Sequence, residues 1–113
     1  MEWDISKQIG KRIPIIEKSV VSYVDMEKIT HITCEGYVSI IHLINGLKYP
    51  VARLLKHFEE ELKEYGFLRV NRHTLVNIRY VDDAKLSERI LRIGKTIITV
   101  SKRKLHLCKK KIK

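Results

Sequence analysis

Short runs of β-branched and apolar residues, separated by turn residues, recur along most of this chain and limit the folds open to it. The first two runs are RIPIIE (12–17) and SVVSYVD (19–25), with Lys18 and Ser19 near the turn between them. Apolar and polar residues in such runs alternate with a period of two, which is the pattern of a half-buried β-strand. We therefore predict a mainly β fold.

The middle of the chain continues the pattern. The segment MEKITHITCEG contains a third predicted strand that ends at Gly36, and YVSIIHLING (37–46) is a fourth. The fourth run closes with Asn-Gly, the dipeptide most typical of a hairpin turn. LKYPVA (47–52) is predicted to pair back, and Pro50 favours the edge of a sheet because proline has no backbone N–H to donate.

Residues 53–65 (RLLKHFEEELKEY) have helical periodicity instead. Five apolar residues fall on one stripe of a helix: Leu54, Leu55, Phe58, Leu62 and Tyr65. Four glutamates lie mostly on the other side, and Gly66 is placed to end the helix. We predict one amphipathic helix inserted mid-chain, which argues against the alternating strands and helices of a parallel sheet.

After this helix the sequence predicts further strands and a basic end. Asp82 and Asp83 are predicted to form a turn, and Gly94 with Lys95 a second hairpin turn. The segment KRKLHLCKKKIK (102–113) holds seven Lys or Arg residues and no acid, and we predict a short helix or strand that frays into a basic end.

Charge and size narrow the class of partner. The chain has 113 residues, which suits one domain, and 23 Lys and Arg against 13 Asp and Glu give a net charge of +10. Such an excess indicates an anionic partner: nucleic acid, an acidic protein or a membrane face. The alternative is a soluble protein that is simply basic. No apolar run is long enough for an export signal or a bilayer span, and Cys34 and Cys108 lack the spacing of a disulfide framework, so we expect a cytoplasmic protein without membrane insertion.

Metal binding and catalysis are two further alternatives. His31 and Cys34 are three residues apart and His106 and Cys108 two apart, but residues three apart on a strand point to opposite faces, and the spacing is not a usual zinc motif. No spacing assembles a nucleophile, a base and an orienting group, and no Gly-rich phosphate loop is present. We therefore expect no metal, no cofactor and no enzymatic activity.

Two basic clusters favour nucleic acid. Four basic side chains share eleven residues that contain no acid: Arg69, Arg72, His73 and Arg79. Arginine grips phosphate or reads guanine with its planar fork, and Asn71 beside them suits adenine or phosphate. The second cluster is Lys102 to Lys104, with Lys109 to Lys111 behind it. The simpler interpretation is a solvated basic edge and a solubilising tail. The scarcity of aromatic residues for base stacking favours duplex DNA over RNA.

The stretch FLRVNRHTLVNIRYV (67–81) resembles the signature of the LytTR family of bacterial DNA-binding domains. In that signature an aromatic residue, an arginine and a hydrophobic residue precede a His-Arg-Ser-like triplet and then a hydrophobic pair with Val-Asn. The preceding segment EKITHITCEGYVSIIHLINGLKYPVARLLKHFEEEL and the following GKTIITVSKRKLHLCKKKI also resemble the family. We take 12–112 as the domain and 1–11 as an N-terminal arm.

The resemblance implies an elongated, mostly antiparallel β fold whose loops enter successive major grooves on one side of a bent duplex. Three segments are implied to meet DNA: the loop at 35–39, the triplet at 71–73, and the residues after Ser101. The candidate DNA-binding residues are Tyr37, Ser39, Arg69, Asn71, Arg72, His73, Lys102 and Arg103. Among them Arg69 is expected to contact phosphate. Asn77 is expected to be mainly structural, with its amide satisfying a loop backbone.

This chain departs from the family pattern at two places. The common His-Arg-Ser triplet is here Asn71-Arg72-His73, and Lys102 follows Ser101 where the family often has arginine. Lysine cannot form a bidentate fork, so a base contact at that position discriminates less. These changes concern the target sequence rather than the fold.

The resemblance also implies partners: double-stranded DNA, a second copy on an adjacent direct repeat, and the receiver domain or regulatory protein of a two-component system. Eleven residues precede the first predicted strand, so we expect an excised effector domain or a stand-alone regulator controlled by abundance or by a partner. The alternative hypothesis is a β-rich module that binds an acidic protein, or RNA, without sequence-specific DNA recognition.

Overall fold

The computed structural model describes residues 5–112 of the chain. Its strands are β1 (Arg12–Glu17), β2 (Val20–Asp25), β3 (Ile29–Glu35), β4 (Val38–Leu43), β5 (Lys48–Val51), β6 (Phe67–Asn71), β7 (Thr74–Asn77), β8 (Asp83–Lys85), β9 (Ile90–Ile93) and β10 (Thr96–Thr99). The α-helices are α1 (Leu55–Leu62) and α2 (Lys102–Lys111). Short 3-10 helices lie at Ile5–Gln8, Met26–Lys28, Lys63–Tyr65, Ile78–Tyr80 and Leu86–Glu88.

The strands form three antiparallel sheets. The central sheet has the order β5-β4-β3-β7-β6, a second has the order β10-β9-β8, and β1 pairs with β2. Pro50 lies in β5, an edge strand, as predicted. The principal extents are 45 × 31 × 25 Å. The predicted elongated, mainly β, antiparallel fold is confirmed.

The central sheet has a separate apolar core on each face, because side chains alternate along each strand. Leu75 points into a core with α1 and the β1–β2 hairpin, whereas the next residue, Val76, points into a core with the three-stranded sheet and α2. Phe58 and Leu62 of α1 are fully buried in the first core. Burying a side chain of this size stabilises the fold by about 1.5–3 kcal/mol.

The mid-chain helix is shorter than predicted. Leu54 is an extended N-cap residue, with φ −68° and ψ 143°, and is 43% exposed, so its predicted place on the buried stripe is wrong. The 3-10 turn Lys63–Tyr65 continues the helix to Gly66. Gly66 has φ +87°, a left-handed conformation that glycine adopts without steric cost, and it ends the helix as predicted.

The basic tail forms a second α-helix, which is one of the two alternatives predicted for it. Ser101 caps α2, because its Oγ accepts a hydrogen bond from the backbone N–H of Lys104 at 3.3 Å. The last turn carries Lys109, Lys110 and Lys111, whose positive charges complement the negative end of the helix dipole. Neither helix of the described residues is long and apolar enough to cross a membrane.

The predicted turn at Asp82-Asp83 is also wrong, because Asp83 begins β8 and pairs with Arg92. Arg92 donates to the Asp83 carboxylate at 2.6 and 2.9 Å, and Asp82 Oδ2 accepts from Gly94 N at 2.6 Å. The two carboxylates therefore hold neighbouring strands together. The predicted hairpin turn at Gly94 and Lys95 is confirmed by the pairing of β9 with β10.

Candidate nucleic-acid interface

The three segments predicted to meet DNA lie at one end of the central sheet. The backbone N–H of Cys34 donates to the carbonyl of His73, which places the β3–β4 turn beside the β6–β7 turn. The N–H of Ser101 donates to the carbonyl of Val70, which places the start of α2 beside β6. The β6–β7 turn therefore lies between the other two segments.

We call residues 71–73 the β6–β7 tip. Asn71 Oδ1 accepts from the backbone N–H of His73 at 2.8 Å, and Asn71 Nδ2 donates to the carbonyl of Thr99 at 2.7 Å. Both polar ends of this amide are thus engaged in closing the turn and tying it to β10. Arg72 and His73 are exposed, and the Arg72 guanidinium has no hydrogen-bond or ion-pair partner among residues 5–112. The tip presents one unengaged arginine fork.

Arg69 supports the tip from below. Its Nη1 lies 3.0 Å from Glu59 Oε1 on α1, and its side chain is 21% exposed. Its Nη2 donates to the carbonyl of Arg72 at 2.6 Å and its Nε to the carbonyl of Asn71 at 3.4 Å. The guanidinium therefore cross-links α1 to the tip backbone. The predicted phosphate contact of Arg69 stays a prediction.

The segment 35–39, which contains the β3–β4 turn and the start of β4, holds one exposed and one buried candidate. Tyr37 is 85% exposed and follows Gly36, which has φ +62°. Ser39 is fully buried in β4, and its Oγ donates to the carbonyl of Arg53 at 2.5 Å. The structure contradicts the predicted direct contact of Ser39 with DNA, because its hydroxyl has no access to solvent.

The third segment is the first turn of α2. Lys102 and Arg103 are exposed there, directly after the cap residue Ser101, and the first turn contains no acidic residue. Unpaired backbone N–H groups at a helix N-terminus attract anions, and the two side chains add full positive charges. A cleft of about 340 Å³ joins this turn to the tip; its lining residues are Glu59, Arg69, Asn71, Arg72, Ser101, Arg103 and Lys104.

Asn77 is structural, as expected. It is fully buried, and its Nδ2 donates to the carbonyl of Ile29 at 2.8 Å and to Gln8 Oε1 at 3.1 Å. Its Oδ1 accepts from the backbone N–H of Arg79 at 3.1 Å and from Gln8 Nε2 at 2.9 Å. The structure places Arg79 at the far end of β7 from the tip, so Arg79 does not join the basic cluster that the sequence placed it in.

Sequence reasoning missed the supporting residues of the interface. Gln8, Glu59 and Thr99 hold Asn77, Arg69 and Asn71 respectively. The partners in these pairs lie 69, 10 and 28 residues apart along the chain. No local pattern signals such contacts. Among the described residues, no group of three or more His, Cys, Asp or Glu side chains is arranged to hold a metal ion.

Comparison with known proteins identifies similar domains. Residues 19–113 match the sequence profile of the LytTr DNA-binding domain. The structure is similar to the LytTr DNA-binding domain of a Bacillus cereus protein described as a methyl-accepting/DNA response regulator, with a TM-score of 0.73 and 18% identity over 89% of this chain and 96% of that chain. At this identity the structural similarity shows the fold. No curated protein matches the chain.

Proposed function

The chain belongs to the LytTr DNA-binding domain family, and from this premise we propose that it is a transcriptional regulator that binds double-stranded DNA in a sequence-specific manner. The observation that carries the proposal is the gathering of three exposed polar or basic segments at one end of the central sheet: Tyr37, Arg72 with His73, and Lys102 with Arg103. The domain that defines this family is a DNA-binding domain, so we propose no enzymatic activity.

In this proposal Arg72 reads a base. Its fork is exposed and unengaged, and two parallel N–H donors match the O6 and N7 acceptors of guanine in the major groove. Arg69 donates to the carbonyl of Arg72, and Asn71 accepts from the backbone N–H of His73. The backbone of the tip around Arg72 is therefore fixed before binding. Asn71 then acts as a brace, because both ends of its amide already have partners within the protein.

The flanking segments position the tip. We place the loops at this end of the sheet in successive major grooves of a bent duplex, on one side of it, with the tip in one of those grooves. Lys102, Arg103 and the N-terminus of α2 contact phosphates, and Tyr37 packs against the sugar-phosphate backbone or a base edge. Phosphate contacts fix the register of a protein on DNA, and base contacts supply the specificity.

The proposal extends to the assembly. Two copies bind adjacent direct repeats, and a receiver domain or a separate regulatory protein of a two-component system supplies the input signal. In this proposal the protein acts in the bacterial cytoplasm.

Selection of bound fragments from a pool of random duplexes, followed by sequencing, tests the proposal. We expect enrichment of a repeated motif. Absence of enrichment favours the alternative module that binds an acidic protein, and stronger competition by single strands than by duplex favours RNA.

The role of Arg72 is tested on the enriched motif with two substitutions. Arg72→Ala is expected to weaken binding to the motif by about 1–3 kcal/mol. Arg72→Lys keeps the charge but lacks the fork, so it should bind random duplex as the parent does and still bind the motif more weakly than the parent. Affinities for the motif and for random duplex are measured in the same buffer, because both depend on salt. If Arg72→Ala weakens both in the same ratio, Arg72 contacts phosphate and does not read a base.

A further inference from the structure

A second cationic site lies toward the other end of the central sheet. A cleft of about 650 Å³ opens there between the β3–β5 part of the central sheet and the turn that joins β9 to β10. The DNA-contacting segments proposed above do not line it. Its volume falls within the roughly 300–1,000 Å³ typical of small-molecule sites.

Three residues that line the cleft, His31, His42 and Lys48, belong to a row of residues in register across the central sheet. One residue from each strand contributes, in the order Leu68, Val76, His31, His42 and Lys48. Leu68 and Val76 are buried in the core beneath the three-stranded sheet. His42 and Lys48 lie beyond the part of the face that the three-stranded sheet covers, and they line the cleft. The sheet face therefore changes from apolar to aromatic to cationic as it leaves the core.

The two imidazoles are held in a defined arrangement. Their ring centroids are 4.1 Å apart with 8° between the planes. The hydroxyl of Thr30 donates its one proton to the carbonyl of His42 at 3.1 Å, so Thr30 Oγ1 accepts the hydrogen bond from His31 Nδ1 at 2.8 Å. This fixes the Nδ1–H tautomer of neutral His31 and leaves Nε2 as an acceptor. His31 Nε2 has no hydrogen-bond partner among the described residues and retains some solvent access.

Cations approach the cleft from both walls. Lys48 belongs to the central sheet and Lys95 to the β9–β10 turn, and neither ammonium has an ion-pair partner within residues 5–112. Within residues 5–112, Arg79 donates only to neutral oxygens, at 3.3 Å to Gln8 Oε1 and 3.5 Å to the carbonyl of Ile5. Asp82 is the single carboxylate among the described lining residues, and its Oδ2 already accepts from a backbone N–H.

We propose that this cleft binds a small organic anion, a carboxylate or phosphate on a compact and partly apolar body, with Lys48 and Lys95 holding the charge from opposite walls. An anion between them links the central sheet to the three-stranded sheet. Recognition by two separate ammonium groups suits a compact charge better than a planar fork would. The site is independent of DNA recognition and does not rest on it.

The histidines give the site a proton-linked signature. Burial, the neighbouring His42 and the charge of Lys48 lower the pKa of His31 to about 4. Burial and Lys48 likewise lower the pKa of His42. A bound anion offsets the charge of Lys48, which lowers the pKa of both rings, so both pKa values rise on binding. The other charged residues that line the cleft are Arg79, Asp82 and Lys95. Protonation also turns His31 Nε2 into a donor.

The test titrates the full chain with inorganic phosphate and, separately, with benzoate, and follows amide and imidazole resonances by NMR at constant ionic strength set with chloride. We expect saturable shifts centred on His31, His42, Lys48 and Lys95 with one of the two anions, and an upward move of the His31 ring pKa from about 4. Saturation by phosphate alone or by benzoate alone identifies the anionic group.

Matched variants separate a site from general screening. Lys48→Met and Lys95→Met should each weaken the anion about fivefold or more, whereas Lys56→Met, at an exposed position on α1, should not. All three side chains are exposed, and thermal melting checks that each variant folds. Shifts spread over the tip and α2, or equal effects of all three variants, overturn the proposal. The proposal is also overturned if the parent binds neither anion while Lys48→Met and Lys95→Met lose DNA affinity, because the cleft then contacts phosphates of the duplex.

Discussion

Tyr37 lies in the β3–β4 turn and Ser39 lies two residues later in β4, and the two side chains face different environments. Tyr37 is 85% exposed, so Tyr37→Ala should weaken DNA binding and change the free energy of unfolding by less than about 0.5 kcal/mol. Ser39→Ala removes the bond to the carbonyl of Arg53 and should lower the free energy of unfolding by about 1–3 kcal/mol, with DNA affinity unchanged at temperatures where the variant is folded. Urea unfolding and gel shifts measure the two effects. Loss of DNA affinity in folded Ser39→Ala contradicts the assignment.

His31 gives a prediction about pH. Its pKa is lowered from 6.5 to about 4, so the unfolded chain binds more protons at this residue between those values. The contribution of neutral His31 to the free energy of unfolding is therefore complete above pH 6.5 and is lost as pH falls toward 4. The loss is about 3 kcal/mol, at roughly 1.4 kcal/mol per pH unit. Between pH 7 and pH 4 the parent should lose more unfolding free energy than His31→Phe, which keeps a stacked ring but does not titrate.

Chemical denaturation at several pH values measures this difference, and His57→Gln is the matched control because His57 is exposed on α1. The control should follow the parent. Equal pH dependence of the parent and His31→Phe contradicts a buried neutral His31.

Single residues show where sequence reasoning stops. The exposed arginine of the tip was found from its neighbours in the sequence, because the LytTR signature is a local pattern. The internal partners were not: Asn71 bonds to Thr99 and Ser39 to Arg53, 28 and 14 residues away. The local sequence around a short polar side chain beside a turn is the same whether the side chain faces DNA or bonds to a distant carbonyl.

At the scale of elements, the two α-helices carry opposite surface charge and should differ in their response to salt. Lys109 and Lys110 are exposed in the last turn of α2. If both contact phosphates, the double change to Gln should reduce the slope of log K against log[salt] by about 1.8, at roughly 0.9 per phosphate, and weaken all duplexes alike. Binding isotherms at several salt concentrations measure the slope.

The matched control changes Lys56 and Lys63 to Gln. Both are exposed on or directly after α1, among its glutamates, and should leave the slope unchanged. An equal decrease in both double variants indicates that net charge, rather than α2, determines the salt dependence.

Elements were predicted well where the signal is local. Alternating runs and turn residues identified the hairpins, and one apolar stripe identified α1. The tail was left open between helix and strand because Lys-rich sequence has little periodicity, and Ser101 decides the outcome by capping α2. Asp82 and Asp83 were misread because their partners, Gly94 and Arg92, lie on the next hairpin.

At the scale of the whole molecule, the sheet order was beyond local reasoning. β3 lies between β4, its neighbour in sequence, and β7, which follows some forty residues later. That pairing places the β3–β4 turn beside the β6–β7 tip and so builds the interface. The family resemblance supplied the elongated antiparallel fold, which the residue patterns alone left undetermined.

The last prediction concerns assembly on DNA. Each copy carries a net charge of +10, so free copies repel one another and we expect a monomer in solution. On a duplex with two direct repeats of the selected motif, we expect two copies bound with little contact between them. Charges further apart than about 8 Å are largely screened at physiological salt, so each repeat should bind with its own affinity.

Insertion of about five base pairs between the repeats turns one site by roughly half a helical turn relative to the other. Analytical ultracentrifugation and gel shifts on the parent and inserted duplexes should give the same stoichiometry of two and the same affinity per site. An affinity that falls with the five-pair insertion and returns with about ten pairs, one full turn, shows instead that the copies contact each other across one face of the duplex. In that case the contacting surface, and not the spacing of the loops alone, determines which repeats are recognised.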